Sequence, residues 1–404
     1  MSDFYQHGGI ATIHHLGNPD YKLLEDELNS LTPTMALVLP CHARDLESPA
    51  MEGILRELQS TRFLKDIVVG LDGADADGFS LAQSRFGSLP QRVSILWNDG
   101  PRLQCLINDL EHAGLRPGGM GKGRNMRLCF GQVLAGTNAQ TIAVHDCDIV
   151  DYRREILVRL SYPVAHPEMG YHVSKGFSAR FSDRLNGRVM RLLIAPLLRA
   201  MEELDGFGES LALMQNFRYP ISGEVCLHRK ILHEIRFPSD WGVETGMMSD
   251  IFRICDRSRV CQVDIAESYD HKHQELSEAD PLRGLNKMTT DVALCLLRSA
   301  TNYKKMHSAT DLVSVVNRYL KIAPEFINYY EADARMNLLQ FDRALERQTV
   351  ELFADSIRRA IALHLSDPLQ PAGAPSWNEI EFRLPGLSQS LSEAVALDNA
   401  GTNS

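Results

Sequence analysis

The chain has 404 residues, 44% hydrophobic and 23% charged, and carries a formal net charge of −10. That size can bury one large core or two ordinary ones, and the composition is globular rather than fibrous or disordered. The acidic balance argues against a nucleic-acid binder, whose footprint is normally basic, and with no run of about 18 apolar residues nothing is expected to span a membrane.

Residues 1–34 read as an N-terminal extension, and Met1–His7 lacks the charged-then-apolar pattern of a secretory leader. Eight cysteines are scattered with no C-x-x-C pair, as expected of thiols in a reducing cytoplasm rather than a zinc or disulfide framework. Met35 to Pro40 is an apolar run and a first core strand. Ser48 to Leu64 carries Met51, Ile54, Leu55 and Leu58 at helical spacing. Asp66 to Asp72 is a second strand ending in an acidic turn, and Val93 to Trp97 a third. A helix over Pro101 to Ala113, a glycine-rich loop from Arg116 to Gly123 and a helix over Asn125 to Leu134 follow, then the apolar run Thr141 to Val144. Strands alternating with helices predict an α/β fold with a mainly parallel sheet covered on both faces. Ligands on such sheets bind beyond the carboxyl ends of the strands. Residues 35–150 form the first half of this domain and 151–280 the second, with strand-like pieces at Met169 to Val173 and Val260 to Ile265 around a helix near Arg188 to Glu203. Residues 281–366 read as almost wholly helical, and 367–404, rich in Pro, Ala and Ser, as a loosely ordered tail.

The most informative motif is Asp146-Cys147-Asp148, just after the apolar run. Alternation along a strand sends residues i and i+2 to the same side, so the two carboxylates can converge on one hard cation. Mg²⁺ bound this way completes its shell with water and substrate phosphates. The loop Gly118 to Gly123 is not a P-loop, because Lys122 is followed by Gly123 rather than Ser or Thr. It is either a surface turn or a flexible loop offering a lysine and exposed amides to an anion. His271 and His273 resemble a zinc half-site without an evident third ligand. Glu244, on a glycine-flanked loop entering a helix, is a charge at a helix start or a catalytic group. Lys175, Arg180, Arg184, Arg188 and Arg191 cluster as a phosphate site or a solvated face.

Taken in order, Val38-Leu39-Pro40, the acidic turn at Asp72, Gly121-Lys122-Gly123, Asp146-Cys147-Asp148, Gly187-Arg188-Val189, Ser222-Gly223-Glu224, Gly242 to Gly246 and His271 resemble one family. It is that of the glucosyl-3-phosphoglycerate synthases, retaining glycosyltransferases of the GT-A (Rossmann-like) fold. The resemblance covers residues 35 to 275 and is looser over the helical C-terminal extension. It implies a nucleotide-sugar donor, UDP-glucose, a small anionic acceptor, 3-phosphoglycerate, a Mg²⁺ or Mn²⁺ ion and a homodimer. Pro40 and Glu47 fall in the nucleotide-binding first loop and Asp72 in the uracil-contacting turn. Lys122 and Asp146 fall at the donor, Asp148 and His271 on the metal, Gly187 and Arg188 at the acceptor phosphate, and Glu244 beside the reacting sugar.

Three departures stand out. The first loop reads Pro-Cys-His-Ala-Arg-Asp where Pro-Ala-Leu-Asn-Glu-Glu is usual. Met190 replaces a threonine after Gly-Arg-Val, removing a phosphate-binding hydroxyl and making glycerate a rival acceptor. Lys272-His273-Gln274 replaces an Arg- and Asn-bearing segment. A nucleotidyltransferase on a similar sheet and a non-catalytic nucleotide-sugar binder are the competing readings.

Overall fold

The computed structural model describes residues 6, 8–17, 20–31, 34–204, 209–266, 284–303 and 308–400. They contain an eight-stranded sheet. Its strands are β1 (Ala11–Ile13), β2 (Met35–His42), β3 (Leu64–Asp72), β4 (Arg92–Trp97), β5 (Thr141–Val144), β6 (Val173–Ser178), β7 (Val225–His228) and β8 (Val260–Ala266). Across the sheet they run β1-β8-β6-β7-β5-β2-β3-β4. Every neighbouring pair is parallel except the two made by β7, which is antiparallel to both β5 and β6.

The sheet is covered on both faces, as its continuous apolar strands require. Successive residues of β2 feed opposite cores: Leu37 and Leu39 belong to one apolar cluster and Val38 to the other. In β3, Ile67 and Val69 part from Val68 in the same way. The larger cluster continues from the sheet into the three long C-terminal helices, Gly284–Tyr303, Ala309–Met336 and Arg343–Ser366. All three share the core of the sheet, and the first of them adds Leu285, Lys287 and Met288 to the lining of its cleft.

Both ends of the chain are more structured than their sequences suggest. The first 34 residues contribute β1, which pairs with β8 at one sheet edge, and the helix Tyr21–Ser30. The stretch after Ser366 is not a loose tail. It forms the helices Trp377–Arg383 and Leu387–Ala400, whose Trp377, Ile380, Leu387, Leu391 and Val395 enter the main core. Trp377 donates its indole N–H to the carbonyl of Arg127 at 2.8 Å, and Gly131 makes room for the ring. At the opposite sheet edge, Asn399 accepts from the Ile95 N–H at 3.1 Å and donates to the Ile95 carbonyl at 2.8 Å. The side-chain amide thus pairs part of an edge strand that would otherwise present open backbone groups. A third shift is smaller: the strand expected to end at Val173 begins there.

Candidate active site

The carboxyl ends of β2, β3, β5 and β6 open into one cavity of about 840 Å³. It is lined by Pro40, Asp72, Lys122, Asp146, Asp148, Gly187, Arg188 and Glu244. Eight of the ten residues to which the resemblance attaches a role, from segments far apart in the chain, therefore meet in one place.

β7 helps to bring them together. Because it runs antiparallel, its first residue, Val225, pairs with the last residue of β5, Val144. The turn Ser222-Gly223-Glu224 therefore lies beside Asp146. A Cβ on Gly223 would sit 2.1 Å from Asp146 Oδ2, so only glycine admits the carboxylate there. Glu224 is buried and accepts from the Ser222 hydroxyl at 2.7 Å.

Lys122 occupies the first turn of the helix Lys122–Gly136, so its glycine loop is a helix entrance and not a surface turn. Its Nζ lies 2.5 Å from Asp146 Oδ1 and 2.7 Å from Glu244 Oε1. Burial alone would depress the ammonium, but the Asp146 and Glu244 carboxylates outweigh it and hold its pKa well above the usual lysine value. The residue is a fixed positive charge. Glu244, in the first turn of the helix Val243–Ile254, is held by the same ammonium.

Burial and the neighbouring Asp146 carboxylate push Asp148 up to about 7. Two carboxylates competing for negative charge at the mouth of a cleft form an oxygen donor set suited to Mg²⁺ or Mn²⁺, ions that usually keep one or two carboxylates and fill the remaining positions from water and phosphate. His271 and His273, and the segment Lys272-His273-Gln274, lie outside the described residues. Among the described residues, no group of three or more His, Cys, Asp or Glu side chains gathers as a metal site.

Asp72, at the end of β3, accepts from Asn98 Nδ2 at 2.8 Å, and burial raises its pKa. Glu47 is placed differently from expectation. The chain leaves β2 through a 3-10 turn, Ala43–Asp45, capped by the His42 ring. Arg44 and Asp45 then line the cavity, while Glu47 lies beyond the buried Leu46 and is exposed. The acidic side chain of the first loop that lines the cavity is therefore Asp45.

In the same lining, Gly187 adopts φ +72°, with the Tyr219 ring next to it. Arg180 lies over that ring, 4.9 Å from its centroid, and hydrogen-bonds the Tyr219 hydroxyl. Met190 does not line the cavity. It belongs to a π-helix, Val189–Ile194, and packs against the main core, so the missing threonine hydroxyl removes nothing from the cavity wall. Sequence reasoning also missed Glu224, Tyr219 and the burial of Lys175. Lys175 is 1% exposed and donates to the Ser222 carbonyl, and burial lowers its pKa to about 8. The order Ser222-Gly223-Glu224 was visible, but its role depends on an antiparallel pairing that no local pattern announces.

No family model matches the chain. Two curated relatives match it over nearly their full lengths. One is a glucosyl-3-phosphoglycerate synthase of Persephonella marina, 36% identical over 402 residues that cover 99% of this chain and 100% of the relative. The other carries the same name in Methanococcoides burtonii, at 30% identity and 98% of both chains. Among solved structures, glucosyl-3-phosphoglycerate synthase from Mycobacterium tuberculosis with Mn²⁺, UDP and phosphoglyceric acid superposes with a TM-score of 0.53 at 22% identity, over 72% of this chain and 86% of that one. The same enzyme with Mg²⁺ and UDP gives 0.52 at 23% identity, over 73% and 87%. These structures establish the common fold, while identity sustained across the whole length in the curated relatives places the chain in the glucosyl-3-phosphoglycerate synthase family.

Proposed function

We propose that the chain transfers glucose from UDP-glucose to 3-phosphoglycerate, with retention of configuration. The observation that carries the reading is Lys122, held between Asp146 and Glu244 in a cavity that Arg188 also lines. A fixed cation at the strand ends suits a diphosphate leaving group, and an arginine in the same lining suits the anionic end of the acceptor.

The roles are those the family resemblance implies, and the placements of the described residues suit them. Asp72 and the turn after β2 receive the nucleoside. Lys122 meets charge that builds on the departing diphosphate, a contribution that grows toward the transition state. Asp148, with Asp146 beside it and His271 as the further ligand, would hold Mg²⁺ or Mn²⁺, which when bound offsets diphosphate charge as a Lewis acid. Glu244 already accepts from Lys122, which suits it to orienting the acceptor hydroxyl rather than attacking the sugar. The acceptor oxygen then attacks from the face that UDP leaves, its proton passing to the departing phosphate oxygen. Gly187 and Arg188 hold the acceptor's phosphate.

We place this activity in a cytoplasmic homodimer. The family resemblance supports the dimer, and eight free thiols, most of them buried, are in keeping with a reducing compartment. No helix among the described residues is long and apolar enough to cross a membrane. Incubation with UDP-glucose, Mg²⁺ and 3-phosphoglycerate, with UDP and pyrophosphate measured separately, tests the function. The transferase releases UDP. Pyrophosphate would indicate a nucleotidyltransferase, and nucleotide binding without either product a non-catalytic binder.

A further inference from the structure

Arg188 does not stand alone on the acceptor wall. Its Nε donates to Glu346 Oε1 at 3.3 Å, and its two terminal amino groups make no hydrogen bond among the described residues. Glu346 comes from the first turn of the helix Arg343–Ser366, where the helix dipole favours a carboxylate. The same carboxylate takes a two-pronged contact from Arg191, at 2.7 and 3.2 Å. Arg191 in turn donates to the carbonyls of Asn186 at 2.9 Å and Leu185 at 3.2 Å, and its guanidinium lies 5.0 Å from the centre of the Tyr330 ring. Glu346 and Arg191 are 5% and 6% exposed. The loop carrying Gly187 and Arg188 is thereby fastened to two helices of the C-terminal region.

We propose that Glu346 is a positioning residue for the acceptor: by taking the Nε–H of Arg188 it fixes the guanidinium plane and leaves the terminal amino groups to grip the acceptor's anion from the cavity wall. This rests on the reading of Arg188 as the acceptor-phosphate residue. Planar, two-pronged recognition of phosphate depends on the orientation of the fork and not only on its charge. The idea therefore differs in sign from simple electrostatics. Two guanidiniums against one carboxylate leave one net positive charge. Removing the carboxylate's charge makes the wall more positive, so a purely electrostatic role would tighten anion binding.

The test is Glu346→Gln, which keeps the shape and removes the charge. The expected result is a KM for 3-phosphoglycerate raised about ten-fold, the loss of one charge-assisted contact, with the KM for UDP-glucose unmoved. In an Arg188→Ala background the same substitution should add nothing further. A fall or no change in acceptor KM, an equal rise in both KM values, or a full additional rise without Arg188 each overturns the inference. Arg188→Ala by itself checks the underlying reading. If it leaves acceptor KM unchanged, that reading fails and takes the inference with it; if it raises KM while Glu346→Gln does not, only the inference falls. Should Glu346→Gln not fold, Glu346→Asp keeps the charge but draws the carboxylate back by one methylene. It should also raise acceptor KM, and an unchanged value would overturn the proposal.

Discussion

Replacing Lys122 with alanine separates the two things this residue does. The first is structural: the substitution leaves the Asp146 and Glu244 carboxylates, now 2.5 and 2.7 Å from the same ammonium, facing each other without it. Removing one partner of a buried ion pair costs about 3–5 kcal/mol. Lys122 and Asp146 are 23% and 25% exposed, so the lower end, about 3 kcal/mol, applies. The second effect is catalytic. A preorganised donor aimed at developing charge contributes roughly 10²–10³ in kcat. In the free enzyme Lys122 already bonds two carboxylates, so its gain on binding ground-state donor is partly offset and its contribution falls mainly on the transition state. Lys122→Ala should then lower kcat by about a hundred-fold or more while changing UDP affinity by less than about ten-fold. Initial rates of UDP release at saturating substrates give the first quantity and calorimetric titration with UDP the second. An unchanged kcat, with the loss confined to KM, would refute a role in stabilising the leaving group.

Asp148→Ala and His271→Ala should each abolish turnover, with the circular dichroism spectrum retained, and EDTA should do the same reversibly; full activity in EDTA would remove the metal from the account. Burial holds Lys175 at about 8, below its unfolded value of 10.5, so between those pH values the unfolded chain carries more protons and stability from this group rises with pH. The stability of the native chain relative to Lys175→Met should therefore climb from pH 8 to 10.5 and stay level at lower pH, and a level difference throughout would contradict the burial argument. Met190 packs on the core, so Met190→Thr should leave the KM for 3-phosphoglycerate within about two-fold, well below the worth of a charge-assisted hydrogen bond. A ten-fold fall would show that a hydroxyl at 190 does reach the acceptor.

The central strands were legible because a parallel sheet buried on both faces demands unbroken apolar runs, and Met35 to Pro40, Asp66 to Asp72 and Thr141 to Val144 supply them. The same logic put Asp146 and Asp148 at a carboxyl end, where the cavity opens. What stayed hidden depends on distant partners. β1 is three residues long and exists by pairing with β8, about 250 positions later. The last helices read as a tail because Pro368, Pro371 and Pro375 punctuate the segment before them, while their anchoring contact, Trp377 to Arg127, spans 250 residues. The position of Glu47 has a local cause: the 3-10 turn Ala43–Asp45 brings Arg44 and Asp45 to the cavity, and the buried Leu46 separates them from Glu47. The tie between Arg188 and Glu346 crosses 158 residues, and neither neighbourhood alone marks the other.

Retention, donor and acceptor can be read together from one product. The chain is incubated with UDP-glucose labelled with ¹³C in the sugar, 3-phosphoglycerate and Mg²⁺, and the reaction is followed by NMR at the anomeric position. The label should move from UDP to the hydroxyl of phosphoglycerate with its α configuration kept, in step with UDP release. A β-linked product, free labelled glucose, or label that never leaves UDP would contradict it.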